Sequence, residues 1–237
     1  MGKRWENMIK VSDISMKYGK QKIIEDISFE VQCGERVAIV GKNGCGKSTL
    51  MKILAGTLKP QKGSVSYFGQ DALKNNKIIR QFCGYVPQEN PLIDELSVRD
   101  NLKLWESVAG KKAQDVVSYF QLNEMMKKPV RELSGGMKRR LGIACALVGW
   151  PSILLLDEPT TALDLYYKES INTLLNDYQK MNGMVVLTTH DQAEIMACDR
   201  CLVITDGHLK ELKKEEIQMD MIKKYIGIKE KKNDEQI

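Results

Sequence analysis

Two stretches of this sequence carry residue types suited to phosphate chemistry. Gly41, Lys42, Asn43, Gly44, Cys45, Gly46, Lys47, Ser48 and Thr49 follow the spacing G-x-x-x-x-G-K-[ST]. A nucleoside triphosphate carries several negative charges and needs concentrated donors. Glycines at 41, 44 and 46 let successive backbone N–H groups converge, a helix start adds its positive dipole end, Lys47 reaches the outer phosphates, and the Ser48 hydroxyl is a Mg²⁺ ligand. Farther along, Asp157 and Glu158 close the apolar run 153–156. In this pattern Asp157 holds Mg²⁺ through water, and Glu158 orients and polarises an attacking water. Either acid alone would serve as a helix cap, and a glycine-rich turn alone need bind nothing. An apolar strand that delivers two acids 110 residues after Lys47 predicts a hydrolytic triphosphate site in one sheet.

The flanking patterns predict the elements that hold these residues. Alternating apolar residues at 9, 11, 14 and 16 and at 27, 29 and 31 read as an N-terminal β region. Residues 36–40 read as a buried strand and 48–55 as a helix, so the glycine stretch lies in a strand-loop-helix turn. Further strands are predicted at 64–68, 83–86, 153–156, 184–188 and 201–205, with helical patterns at 163–181 and 191–198. Ser97 opens a helix, with Asp100 at the capping-box position and Val98, Leu102, Trp105 and Ala109 on one face, inside a mostly helical segment at 92–128. The expected fold is α/β: a mainly parallel sheet, an N-terminal antiparallel β region and a helical subdomain. From 211 onward the chain mixes Lys with Asp and Glu and reads as a solvated tail with a weak helix at 214–226.

Composition excludes several classes. With 237 residues, 43% hydrophobic and 28% charged, the chain can bury a large core. A net charge of +5 selects no partner by itself. The longest apolar run, 141–150, is half of what a spanning helix needs, and the first ten residues lack a signal-peptide core. Six cysteines without framework spacing fit reduced thiols. Cys198 and Cys201 have redox or zinc spacing but no second ligand pair, and read as coincidence. Cys45, beside Lys47 and a helix start, is expected to favour the thiolate, so that its modification would block nucleotide binding. His208, in the turn after Asp206-Gly207, reads as a hairpin residue.

Leu133-Ser134-Gly135-Gly136-Met137, followed by Lys138-Arg139-Arg140-Leu141, resembles the LSGGQ signature of the ATP-binding cassette family. The resemblance covers roughly 8–212 and implies a P-loop NTPase core that binds ATP and Mg²⁺. It implies an ATPase domain over 8–212, a helical subdomain inserted at about 92–150, and a charged C-terminal helix or tail over 213–237. By the same resemblance, Ser134, Gly135, Gly136 and Met137 act in trans on the γ-phosphate held by a second subunit. Met137 departs from the family's glutamine and removes a hydrogen-bonding side chain. Tyr18 resembles the aromatic that stacks on adenine, Gln88 the glutamine that touches Mg²⁺ and senses the transport subunit, and Asp164 the acid of the loop that crosses to the partner. His190 resembles the histidine that contacts the γ-phosphate and, with Lys47 and Glu158, completes the catalytic set.

One phosphate loop and one signature per chain then imply a head-to-tail dimer of this chain, or of it with a homologous ATPase subunit. The dimer would drive integral-membrane permease subunits from the cytoplasmic face, with 91–99 as the docking surface. The run Met137-Lys138-Arg139-Arg140-Leu141 looks like the exporter branch that pairs with ABC-2 type permeases, including drug and lantibiotic resistance systems. A clamp on nucleic acid or ribosomes is the alternative. Only 87 positions separate Lys47 from Ser134, which leaves no room for a coiled-coil insertion, and no basic, aromatic-interleaved patch is present, so no nucleic-acid partner is expected. A small-molecule phosphotransferase would leave the signature and His190 without a role.

Overall fold

The computed structural model describes residues 8–227. β1 (Met8–Tyr18) and β2 (Gln21–Gln32) form an antiparallel pair, extended by β4 (Lys62–Tyr67) and β5 (Gln70–Asp71) into a four-stranded sheet of order β2-β1-β4-β5. The second sheet has the order β10-β9-β3-β8-β7-β6. Its strands are β3 (Arg36–Gly41), β6 (Cys83–Val86), β7 (Ile153–Asp157), β8 (Met184–Thr188), β9 (Arg200–Thr205) and β10 (His208–Lys213). All pairs in it are parallel except the β9-β10 hairpin. The expected α/β class and mainly parallel sheet are the observed ones.

The continuous apolar strands follow from burial on both faces. In a strand successive side chains point to opposite sides. Val37, Ile39, Ile153, Leu155, Met184 and Val186 join a core with the antiparallel sheet and α1 (Lys47–Leu54). Their alternates Ala38, Val40, Leu154, Leu156, Val185 and Leu187 join a core with the helical segment. That segment contains α3 (Val98–Ala109), α4 (Gln114–Tyr119), α5 (Gly135–Ala146) and α6 (Leu165–Lys180). The Ser97 hydroxyl caps α3 by accepting from Asp100 N at 3.1 Å.

Two features go beyond expectation, the helix at 76–82 and the anchoring of the stretch after 211. α2 (Asn76–Phe82) is capped by Asn75 Oδ1, which accepts from Lys77 N, a local signal that the polar run around it conceals. The segment 92–128 is mostly helical, as expected: α3, α4 and a short 3-10 turn at Asn123–Met125. α7 (Gln192–Met196) falls within the helix expected at 191–198. The charged stretch after 211 is largely exposed up to residue 227 and contains the expected helix, but Leu212, Ile217 and Ile222 anchor it to the helical-side core. β10 pairs with β9, and α8 (Met219–Ile226) follows it, with Ile217 and Ile222 buried in the helical-side core and Thr205 Oγ1 donating to Tyr225 O at 3.0 Å. A few apolar residues spaced among many charges suffice to dock a short helix, and composition averages hide them. Residues 228–237 of the expected tail, and residues 1–7 of the N-terminal segment, lie outside the described residues. Asp206 and Gly207 both have positive φ, a hairpin turn as read around His208.

Four parallel strands, β3, β8, β7 and β6, lie side by side. Their C-terminal ends therefore share one edge, about 14 Å wide for three interstrand steps. Gly41, Thr188, Asp157 and Val86 end these strands, and the candidate residues follow directly after them.

Candidate functional site

α1 begins at Lys47 with Gly46 as its cap residue and no side-chain cap, so the amides of its first turn are left for a ligand. Gly46 has φ 108, and a Cβ there would stand 2.6 Å from Ile24 Cγ2, which restricts the position to glycine. Lys47 is buried, and its ammonium donates to Gly41 O at 2.9 Å and Lys42 O at 3.1 Å, inside the curl of its own loop. Cys45 departs from expectation: burial raises its thiol above the ordinary value, outweighing the pull of Lys47, so the thiolate is not favoured. Cys198 and Cys201 are buried thiols, each pushed up to about 12, in keeping with the structural reading.

Glu158 follows β7 with φ 49, in the left-handed region. Its amide donates to Thr188 O at 3.1 Å and to Thr188 Oγ1 at 3.0 Å. Its carboxylate accepts from Gln88 Nε2 at 3.2 Å and from Thr161 Oγ1 at 3.0 Å. His190 Nε2 lies 3.5 Å from Glu158 Oε1. Asp157 is buried and its Oδ1 accepts from the Thr188 hydroxyl. A cleft of about 460 Å³ gathers Tyr18, Asn43, Gly44, Gly46, Lys47, Ser48 and Thr49 with Gln88, Glu158 and His190. Residues from five separate parts of the sequence thus meet around one polar opening, while Asp157 is not among its lining.

His190 is held below its ordinary value of 6.5, first by burial and then by Lys47, with Glu158 opposing. The unfolded chain then binds more protons than the folded one between 6.5 and the lowered value. Stability contributed here rises with pH across that window and is complete above it. Thermal melts from pH 5 to 8 should show wild type losing Tm toward acid more steeply than His190→Gln; parallel curves would contradict the assignment.

The Ser134 hydroxyl caps α5 by accepting from Met137 N at 3.3 Å. At Gly136 a Cβ would stand 2.4 Å from the Tyr167 ring, whereas Gly135 faces open space. Met137 packs against the helical-side core. Ser134, Gly136 and Met137 line neither the cleft nor its neighbour. Gly135 lines an adjacent cavity of about 370 Å³ with Gln88, Glu158 and Thr161. Asp164 caps α6, its Oδ1 accepting from Tyr167 N at 3.0 Å, and exposed Leu165 and Tyr166 follow it. Lys138 binds both oxygens of Asp94 at 2.9 Å, joining α5 to the segment 91–99.

Three contributors were not legible as such. Thr188 binds both Asp157 and the Glu158 amide, a role that only strand adjacency reveals. Glu194 is buried, accepts from Thr189 Oγ1, and has its carboxyl raised by burial. Arg139 donates to three backbone carbonyls. A signal existed for it, because position 139 shares a helix row with buried Gly142, Ile143 and Ala146, where a charge demands a partner.

A strand, an uncapped glycine loop and a helix, with acids at the end of a strand of the same parallel sheet, define a P-loop nucleoside triphosphatase. The sequence profile of the family described as ABC transporter matches residues 24–161. The chain is 32% identical over 233 residues to the Nod factor export ATP-binding protein I of Sinorhizobium fredii, covering 92% of this chain and 68% of that one. It is 34% identical to the linearmycin resistance ATP-binding protein LnrL of Bacillus subtilis, over 85% of this chain and 68% of that one. The chain thus spans about two thirds of the length of these relatives. Among solved structures, an ATP-binding subunit of an ABC transporter superposes with a TM-score of 0.80 at 26% identity, covering 94% of this chain and 95% of that one. A dimeric ATP-binding cassette in a post-hydrolysis state, bound to ADP and Pi, gives 0.77 at 28% identity, covering 87% and 98%. The chain belongs to the ABC transporter family, of which it is an ATP-binding, ATP-hydrolysing subunit.

Proposed function

We propose that this chain powers export across a membrane, as one half of a dimer that closes on two ATP molecules and opens on hydrolysis. The observation that carries the reading is the composition of the cleft: it contains the phosphate loop, Gln88, Glu158 and His190, but not Ser134. Such a cleft contacts one side of a triphosphate and leaves the other open for the α5 start of a second copy. Dimeric cassettes among the similar structures support this arrangement.

In this reading the amides of residues 44–49 and Lys47 cradle the phosphates, and Tyr18 stacks on the base. Glu158 polarises water, its carboxylate aimed by Gln88 and Thr161, and His190 steadies the charge on the γ-phosphoryl group as it passes from ADP to that water. Burial and Lys47 favour the neutral imidazole here, which still has an N–H to donate to a phosphate oxygen. Among the described residues no cluster of three or more His, Cys, Asp or Glu is placed to hold a metal alone. Mg²⁺ prefers one or two protein ligands together with phosphate oxygens and water, so Ser48, Gln88 and water-bridged Asp157 fit an ion that arrives with the nucleotide. That ion would neutralise charge between the outer phosphates.

Among the described residues no helix is long and apolar enough to cross a membrane. We assign the chain to the cytoplasmic face, held there by permease subunits of ABC-2 type that contact 91–99. The export and resistance relatives support the direction. The test is complementation. Lys47→Ala and Ser134→Arg should each abolish turnover, and mixing the two chains should restore it, because a mixed dimer contains one intact composite site. A mixture that forms mixed dimers yet stays as inactive as its components would overturn the trans arrangement.

A further inference from the structure

One guanidinium on α5 grips the backbone on both sides of Glu158. Arg139 Nη2 donates to Asp157 O at 2.6 Å and Nε to Pro159 O at 3.0 Å, the carbonyls that flank Glu158. Its Nη1 donates to Pro87 O at 2.7 Å, the carbonyl immediately before Gln88. Gln88 and Glu158 are themselves joined side chain to side chain. Glu158 stands at φ 49, which a residue with a Cβ keeps only when its surroundings over-determine it. Thr188 fixes its amide, and Arg139 fixes the carbonyls before and after it.

We propose that Arg139 is a positioning residue for hydrolysis: it holds Glu158 in its left-handed conformation and sets the Gln88 segment against it. The placement of both then follows the position of α5, the helix that begins at Ser134. The inference rests on the reading of Glu158 as the residue that polarises water. A planar fork with fixed donor directions suits three converging carbonyls; an ammonium, a point charge on a flexible stem, does not. Hydrogen bonds keep their strength only over a few tenths of an ångström. A shift of α5 must therefore drag the Glu158 turn with it or break the grip.

The test uses Arg139→Lys and Arg139→Met in the full chain. Both should lower kcat by about 10- to 100-fold, the scale expected when a reacting group is displaced by about 1 Å, with KM for ATP little changed. Lysine should keep the melting temperature near wild type yet fail to rescue kcat. Combined with Glu158→Gln, either change should add no further loss to the residual single-turnover rate, because both act on one group. Wild-type kcat in Arg139→Lys, or losses that multiply with Glu158→Gln, would overturn the proposal. If Arg139→Met does not fold, Arg139→Lys decides alone. Glu158→Gln measured by itself reports separately on the underlying reading: full turnover there removes Glu158 from catalysis whatever Arg139 does.

Discussion

Glu158→Gln should bind ATP as wild type does and lose about 10²- to 10⁴-fold in turnover, the contribution of a positioned general base. The substitution keeps the shape of the side chain. Its amide oxygen can still accept from Gln88 and Thr161, which now meet Glu158 at 3.2 and 3.0 Å. The backbone turn, set by Thr188 and Arg139, does not depend on the carboxylate. What disappears is the charge that draws a proton from water. Steady-state phosphate release with a parallel nucleotide-binding titration separates the two effects. Intact turnover would remove Glu158 from the catalytic role, and lost binding would make it a structural residue.

Lys47→Ala should fail earlier, at nucleotide binding. A hydrogen bond to a charged group is worth about 1.5–3 kcal/mol, which corresponds to a 10- to 150-fold loss in affinity. In the nucleotide-free chain the ammonium is already satisfied by Gly41 O and Lys42 O. The net gain on binding therefore comes from exchanging neutral carbonyls for phosphate oxygens. The same substitution removes one of the groups that depress His190. Its imidazole should titrate at higher pH in Lys47→Ala than in wild type, as read by NMR of the ring protons. An unchanged midpoint together with unchanged ATP affinity would place Lys47 outside the site.

The sheet was legible because β3, β7 and β8 are buried on both faces, and such strands read as unbroken apolar runs. The glycine loop was legible because its spacing has few other uses, and the start of α3 because Ser97 caps it. Relations across strands were hidden. Nothing local to Thr188 shows that it binds both Asp157 and the amide of Glu158. Arg139 stands in a basic run, and its row of buried neighbours signals that it needs a partner without showing which three carbonyls it meets. Cys45 shows a misjudged balance of magnitudes: proximity to Lys47 was visible in the sequence, but the burial that outweighs it was not. In the segment 211–227 charge dominates the average and most residues stay exposed, which hides that Leu212, Ile217 and Ile222 anchor it to the core.

The central claim is that the site closes only when Ser134 of a second copy meets nucleotide held by the first. Light scattering of Glu158→Gln with Mg-ATP measures this directly. The expected mass is twice the 26.9 kDa of the chain, falling to the single-chain value when Ser134→Arg is added. A single-chain mass at saturating, stoichiometrically bound ATP would contradict the account, as would a dimer indifferent to Ser134→Arg.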